Sequence, residues 1–145
     1  MIVNALSSSI RTRFKAIGPS QSVRLAAAAF SDPNIGLLIV CESDGQMQGV
    51  VSKSDLVRHL AAAGSTKAPI SVVMTKIVAT ATTSADLQAT WQFMMLRRLQ
   101  NLPILTVEHR PIGTLDVRDA FQALLTAERR QEEQLVHYIS GVGYR

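Results

Sequence analysis

Two short polar stretches carry the residues whose types and spacing suit ligand chemistry. Ser52, Lys53 and Asp55 lie in GVVSKSDLVRHL, residues 49–60, and Asp116, Arg118 and Asp119 lie in GTLDVRDAFQAL, residues 113–124. Each stretch reads as glycine, two residues suited to a strand, a small polar residue, two spacers, an aspartate and then a helical pattern. A carboxylate can accept two hydrogen bonds from a vicinal diol. A helix N-terminus offers unpaired N–H groups and the positive end of its dipole, both suited to a phosphate. Glycine before the turn permits close backbone approach. Ser-x-x-Asp ahead of an apolar run is equally a helix-capping signature, and aspartate caps as well as serine does. On pattern alone, a cap and a ligand grip both remain open.

The two stretches are copies. Gly49 and Gly113 stand 64 positions apart, as do Asp55 and Asp119. The same offset pairs Ser20 with Ser84, Val23 with Leu87, Phe30 with Met94, Ile35 with Leu99, Leu38 with Leu102, Val40 with Ile104 and Leu60 with Leu124, without a gap. Such a period is longer than the roughly 20–50 residues of a solenoid repeat, and indicates two tandem copies of one small supersecondary unit.

The elements that position these residues follow the same order in each copy. In the second copy a β-rich piece over residues 77–81 precedes Ser84, the expected N-cap. Leu87, Trp91, Met94 and Met95 then line one apolar helix face, with Arg97 and Arg98 opposing the negative end of its dipole. Strands are expected over 102–107 and 112–115, with Pro103 near a strand start or on an edge, and a helix over 116–126. The first copy repeats this with strands over 15–17, 37–41 and 47–51 and helices over 23–30 and 52–63, Asp44-Gly45 marking a hairpin turn. Each unit is β-α-β-β-α, a mixed α/β (α+β) fold. The expected division is an N-terminal segment 1–14, a first motif 15–64, a linker 65–71 read from GSTKAP, a second motif 72–127 and a helical tail 128–145. Gly64 is expected to end the helix before the linker. A unit of about 50 residues buries too little surface alone, so the copies should pack together. Leu135, Tyr138 and Ile139 give the tail an apolar edge.

Composition fits this picture. The chain has 145 residues, 47% of them hydrophobic, and a mean hydropathy of +0.16, enough for a core. No apolar run approaches the ~20 residues of a membrane span. MIVNALSSSIRTRF lacks the pattern of a secretory signal, and a single cysteine fits a reducing cytoplasm. The net charge of +4 is spread out, with Arg97-Arg98 and Arg129-Arg130 its adjacent arginine pairs. This disfavours a nucleic-acid surface and remains compatible with small anions. Cys41, His59, His109 and His137 form no metal-ligand or nucleophile pattern. No phosphate loop, dinucleotide fingerprint or catalytic triad is present, so no enzyme is expected.

The duplicated unit resembles the cystathionine-β-synthase (CBS) domain, and the tandem pair resembles a Bateman module of the small stand-alone type. The resemblance rests on IGLLIVCESDGQMQGVVSKSDL in copy one, on VMTKIVATATTSADL and MMLRRLQNLPILTVEHRPIGTLDVRDAF in copy two, and on EEQLVHYISG in the tail. It implies a non-catalytic regulatory module that forms homodimers and binds AMP, ADP, ATP or a related adenosyl ligand between the copies, relaying a signal to a partner protein. By position it implies Asp55 and Asp119 as ribose contacts and Ser52 as the phosphate hydroxyl. Lys53, Arg118, Asp116, Ile17, Leu38, Ala79 and Pro103 complete the expected ligand-binding set.

Two departures bear on the ligand. Asp116 stands where the family usually has Ser or Thr, and two like charges ~4 Å apart cost ~1 kcal/mol even in water. Gln100 and Asn101 stand where the family often has Arg-His. The half containing Ser52 and Asp55 is therefore the expected phosphate-binding half. A ligand-free dimerisation or adaptor module is the alternative, and a weak nucleic-acid binder the remote one.

Overall fold

The computed structural model describes the backbone of residues 1–76 and 78–143, and side chains as far as His137. The chain runs through a 3-10 turn (Val3–Leu6), α1 (Ser7–Thr12), β1 (Ala16–Ile17), α2 (Val23–Ala29), β2 (Leu37–Cys41), β3 (Met47–Ser52) and α3 (Lys53–Ala61). A second 3-10 turn (Ile70–Val72) leads into β4 (Ala81–Thr82), α4 (Leu87–Arg97), β5 (Asn101–Leu105), β6 (Pro111–Asp116) and α5 (Val117–Gly143). The result is the mixed α/β fold of two β-α-β-β-α units, with two three-stranded sheets ordered β1-β2-β3 and β4-β5-β6.

The 64-residue offset holds strand by strand. Ile17 lies opposite Val40 as Ala81 lies opposite Ile104, in parallel pairing. Leu37 faces Ser52 as Asn101 faces Asp116, in antiparallel pairing, and both hairpins carry an irregularity at the same place, Val40/Cys41 and Ile104/Leu105. β2 reads LLIVC with its first four residues buried, the continuous apolar run of a strand covered on both faces. Asp44-Gly45 forms the expected turn, with Gly45 at φ +84° and the Asp44 carboxylate accepting the Gln46 N–H.

Several local expectations are corrected. The cap of α4 is Asp86, whose side chain accepts the Ala89 N–H, and not Ser84. Ser22 caps α2 in the equivalent way. β4 covers Ala81–Thr82 and not 77–81; Ile77 lies outside the described residues. Pro103 sits third in the middle strand of its sheet, beyond the reach of short β4, so its missing N–H interrupts no ladder there. The helix after β6 does not stop near residue 126 but runs on through the tail. Leu135 is exposed on it, while the side chains of Tyr138 and Ile139 lie outside the described residues. At the end of α3, Ala63 and not Gly64 takes the left-handed conformation, at φ +61°. The Gly64 and Ala63 N–H groups close a Schellman motif onto His59 and Leu60.

Each unit has its own core, and each core is completed by the segment that precedes the other unit. Val3, Leu6 and Ile10 pack with Leu87, Met94, Leu102, Ile104 and Leu115 of copy two. Ile70, from the expected linker, packs with Val23, Leu38, Val40, Val51 and Leu56 of copy one. The two arms dock alike. Val3 and Asn4 donate to the carbonyls of Ala85 and Thr83, and Ile70 and Ser71 donate to those of Gln21 and Pro19. This exchange ties the copies together and leaves a seam between the second faces of the two sheets.

Candidate functional site

Ser52 and Asp116 occupy equivalent places, each ending its strand and leading into a helix. In copy one the local sequence closes a capping box. Ser52 Oγ accepts the Asp55 N–H at 3.2 Å, and Asp55 Oδ2 accepts the Ser52 N–H at 2.8 Å. The other oxygen of Asp55 accepts from Arg58 Nη2 at 2.6 Å, and the carboxylate is only 8% exposed. The Lys53 ammonium lies 6.0 Å from the Phe30 ring centroid.

Copy two is wired differently. Asp116, 4% exposed at its side chain, is clamped by Arg118. The Arg118 N–H donates to Oδ1 at 2.7 Å, its Nε to Oδ1 at 3.1 Å and its Nη2 to Oδ2 at 2.8 Å. Asp119 is held from the other end of the chain, where Arg13 Nε donates to its Oδ2 at 2.5 Å and Nη2 to its Oδ1 at 3.2 Å. Arg13 Nη1 also lies 3.6 Å from Asp116 and donates to the Asn34 carbonyl at 3.4 Å. Two guanidiniums thus offset two carboxylates. Burial disfavours ionisation of Asp116, but the Arg118 side-chain and backbone hydrogen bonds and the nearby Arg13 charge outweigh it, holding the carboxyl below its ordinary range. The bond to Asp119 is the main reason that the Arg13 pKa is raised.

The seam itself is uneven. Sheet one lines it with Leu37, Ile39 and Val50, packed against Phe14, Met47 and Val78. At the same offsets sheet two has Asn101, Pro103 and Thr114, followed on that face by Asp116. Thr114 is fully buried, and its hydroxyl and the Asn101 Oδ1 have no hydrogen-bond partner among the described residues. A buried polar group left unpaired costs about 1–3 kcal/mol, so these two atoms suit a guest that supplies donors. The Asn101 amide crosses to copy one, where a Cβ on Gly36 would stand 2.6 Å from its Nδ2.

The structure therefore groups Asp116, Arg118 and Asp119 with Arg13, places Pro103 at the seam, and pairs Ser52 with Asp55. Ile17 and Leu38 lie elsewhere. They belong to the first core and border a cavity of about 350 Å³ with Lys15, Gln21 and Leu25, beside α2. Ala79 packs on the second core. Arg13 is absent from the sequence-based set because it stands 106 residues from Asp119, with no local pattern to link them. Thr114 and Asn101 had a signal, since both are polar where the first copy has Val50 and Leu37. Among the described residues no cluster of His, Cys, Asp or Glu is placed to hold a metal ion, and no helix is long and apolar enough to cross a membrane.

Comparison with known proteins bears on this geometry. The CBS domain family model matches residues 6–62 and 70–126, two matches at the 64-residue offset. The fold is similar to a CBS-domain containing protein from Agrobacterium tumefaciens, at 26% identity and TM-score 0.74, covering 85% of this chain and 98% of that one. It is similar to CBSX2, solved in complex with AMP, at 20% identity and TM-score 0.74, covering 88% and 98%. It is also similar to the CBS domain pair of MJ0100, solved with 5′-methylthioadenosine and S-adenosyl-L-methionine, at 19% identity and TM-score 0.74, covering 88% and 98%.

Proposed function

Because the chain belongs to the CBS-domain family, we propose that it is a non-catalytic regulatory module that takes an adenosyl ligand in the seam between its copies and relays occupancy to a partner protein. The observation that carries this reading is the seam itself. Carboxylates stand at two equivalent helix starts, and two buried atoms of the copy-two sheet, Asn101 Oδ1 and Thr114 Oγ1, have no hydrogen-bond partner among the described residues. CBSX2 was solved with AMP and the MJ0100 pair with 5′-methylthioadenosine and S-adenosyl-L-methionine, which supports the ligand class. Asp55 and Asp119 take ribose hydroxyls in this reading. Ser52, Lys53 and Arg118 serve the polar end of the ligand, and Pro103 and Ala79 border the copy-two side. Ligand in the seam favours one spacing of the two sheets over another, shifting an existing equilibrium.

Two copies of the chain would associate through their helical faces. Trp91 and Phe121 stand 5.8 Å apart beside a groove of about 480 Å³ that Leu124 and Leu125 also border. Val57 and Leu60, the equivalents of Phe121 and Leu124, are exposed on copy one. Apolar exposure repeated on both helix pairs marks an interaction surface.

One observation favours the adaptor alternative, that Asp55 and Asp119 are both satisfied internally. Thermal unfolding with AMP, ADP, ATP, adenosine and S-adenosylmethionine separates the two readings. A ligand at 100 times its Kd adds about 2.7 kcal/mol to stability. No rise in Tm with any of them at millimolar concentration favours the adaptor.

A further inference from the structure

The geometry points to Arg13 as a displaceable plug in the copy-two half-site and as the residue that sets its preference between neutral and phosphorylated nucleosides. This inference rests on the reading of the seam as a nucleoside site. Arg13 ends α1, in the arm that covers copy two, and its guanidinium engages both oxygens of Asp119 at 2.5 and 3.2 Å. A vicinal diol needs the same lone pairs. Diol and guanidinium cannot both make their bidentate contacts, so a nucleoside entering here must turn Arg13 away.

Asp119 is singular in this respect. Its counterpart Asp55 is held by Arg58 of its own helix, a side chain 71% exposed, and its Oδ2 serves the capping box. Only at Asp119 does the competing group come from another segment, and Arg13 also holds the Asn34 carbonyl ahead of β2. Ligand at Asp119 therefore exchanges a contact between the arm, the first copy and the second for a contact of its own. A second observation makes this carboxylate pair a ligand site and not only an acidic cluster. The Thr114 hydroxyl, fully buried and without a hydrogen-bond partner among the described residues, stands two residues before Asp116 on the same face of β6.

Charge gives the inference its signature. Arg13 both blocks the diol position and offsets Asp116 and Asp119. Removing its charge frees Asp119 for any nucleoside, yet leaves carboxylate charge that repels a phosphate. Neutral and anionic ligands must then respond differently, which a merely structural arginine would not produce.

Isothermal titration of adenosine and AMP into wild type, Arg13→Gln and Arg13→Lys tests this. Adenosine should bind Arg13→Gln roughly tenfold more tightly than wild type, the scale of a lost charge-assisted competitor, and the preference for AMP over adenosine should fall. Arg13→Lys keeps the charge without the planar fork, so adenosine should gain while the AMP preference stays. If Arg13→Gln does not fold, the lysine variant decides. Unchanged or weaker adenosine binding in the folded variants overturns the plug while leaving the nucleoside reading intact. A wild type that binds neither ligand beside a variant that binds adenosine supports the plug. Failure of every protein to bind either ligand overturns both.

Discussion

The side chain of Ile10 lies directly against Gly113. A Cβ built on this glycine would stand 2.8 Å from both the Cβ and the Cγ1 of Ile10. The glycine that opens the second polar stretch thus answers to the arm preceding copy one. Gly49, its equivalent, faces the other arm, with a Cβ there falling 2.5 Å from the carbonyl oxygen of Thr75. Both glycines are required by the exchange of arms.

Gly113→Ala should therefore destabilise the protein by about 1–3 kcal/mol, the usual cost of overpacking. Gly49→Ala should cost more, because the atom it meets is backbone, whose N–H and carbonyl both pair with Val50. Urea midpoints measure both. An alanine tolerated without loss at either position would refute the close approach.

The cap of α4 gives a sharper comparison. Asp86→Ala should cost about 1 kcal/mol, the usual value for a lost N-cap. Ser84→Ala should cost little, since its hydroxyl pairs only with that of exposed Thr82. Thermal unfolding of the two variants checks this, and the reverse order would return the cap to Ser84.

Asp116 should make stability depend on acid. Its carboxyl is held below the ordinary value of 3.8 in the folded protein. Its ionised form therefore contributes stability that is fully present above that value and is lost as pH falls through the lower, folded value. Asp116→Asn removes this dependence. It should be less stable than wild type at neutral pH, because Arg118 loses its charged partner and Arg13 one of its two neighbouring carboxylates, and its stability should fall less steeply below about pH 4. Parallel curves of urea midpoint against pH would contradict the assignment.

The repeat was legible because both copies keep one period with no gap, so strand order, hairpin register and the Gly-to-Asp motif all follow from comparing residues 64 apart. The arms were not legible. Val3 and Ile70 perform the same docking but stand 67 positions apart, and one arm continues as helix α1 where the other leaves its 3-10 turn for an isolated bridge between Thr75 and Val50. Residues that read as an N-terminal segment and a linker fall outside the two expected motifs, although each completes a core. The candidate site divides similarly. Ser52 and Asp55 stand three positions apart and close a local box, whereas the Arg13–Asp119 pair exists only once the arm has docked. The polar seam was readable in principle from Leu37 becoming Asn101 and Val50 becoming Thr114.

The helical face should govern association. Phe121→Asp places a charge beside Trp91 in the groove between α4 and α5 and should shift sedimentation from dimer to monomer, with little change in Tm because Phe121 is about half exposed. A wild type that sediments as a monomer, or a variant that remains dimeric, would remove this face from the account.

The most direct test is isothermal titration of AMP, ADP and ATP into wild type and into Asp55→Ala, Asp119→Ala and the double variant, with circular dichroism confirming that each is folded. A nucleotide site in the seam predicts heat with at least one ligand, weakening of roughly tenfold or more at whichever carboxylate holds the ribose, and no binding in the double variant. No heat with any of the three at millimolar concentration, or a double variant that binds as wild type does, would contradict it.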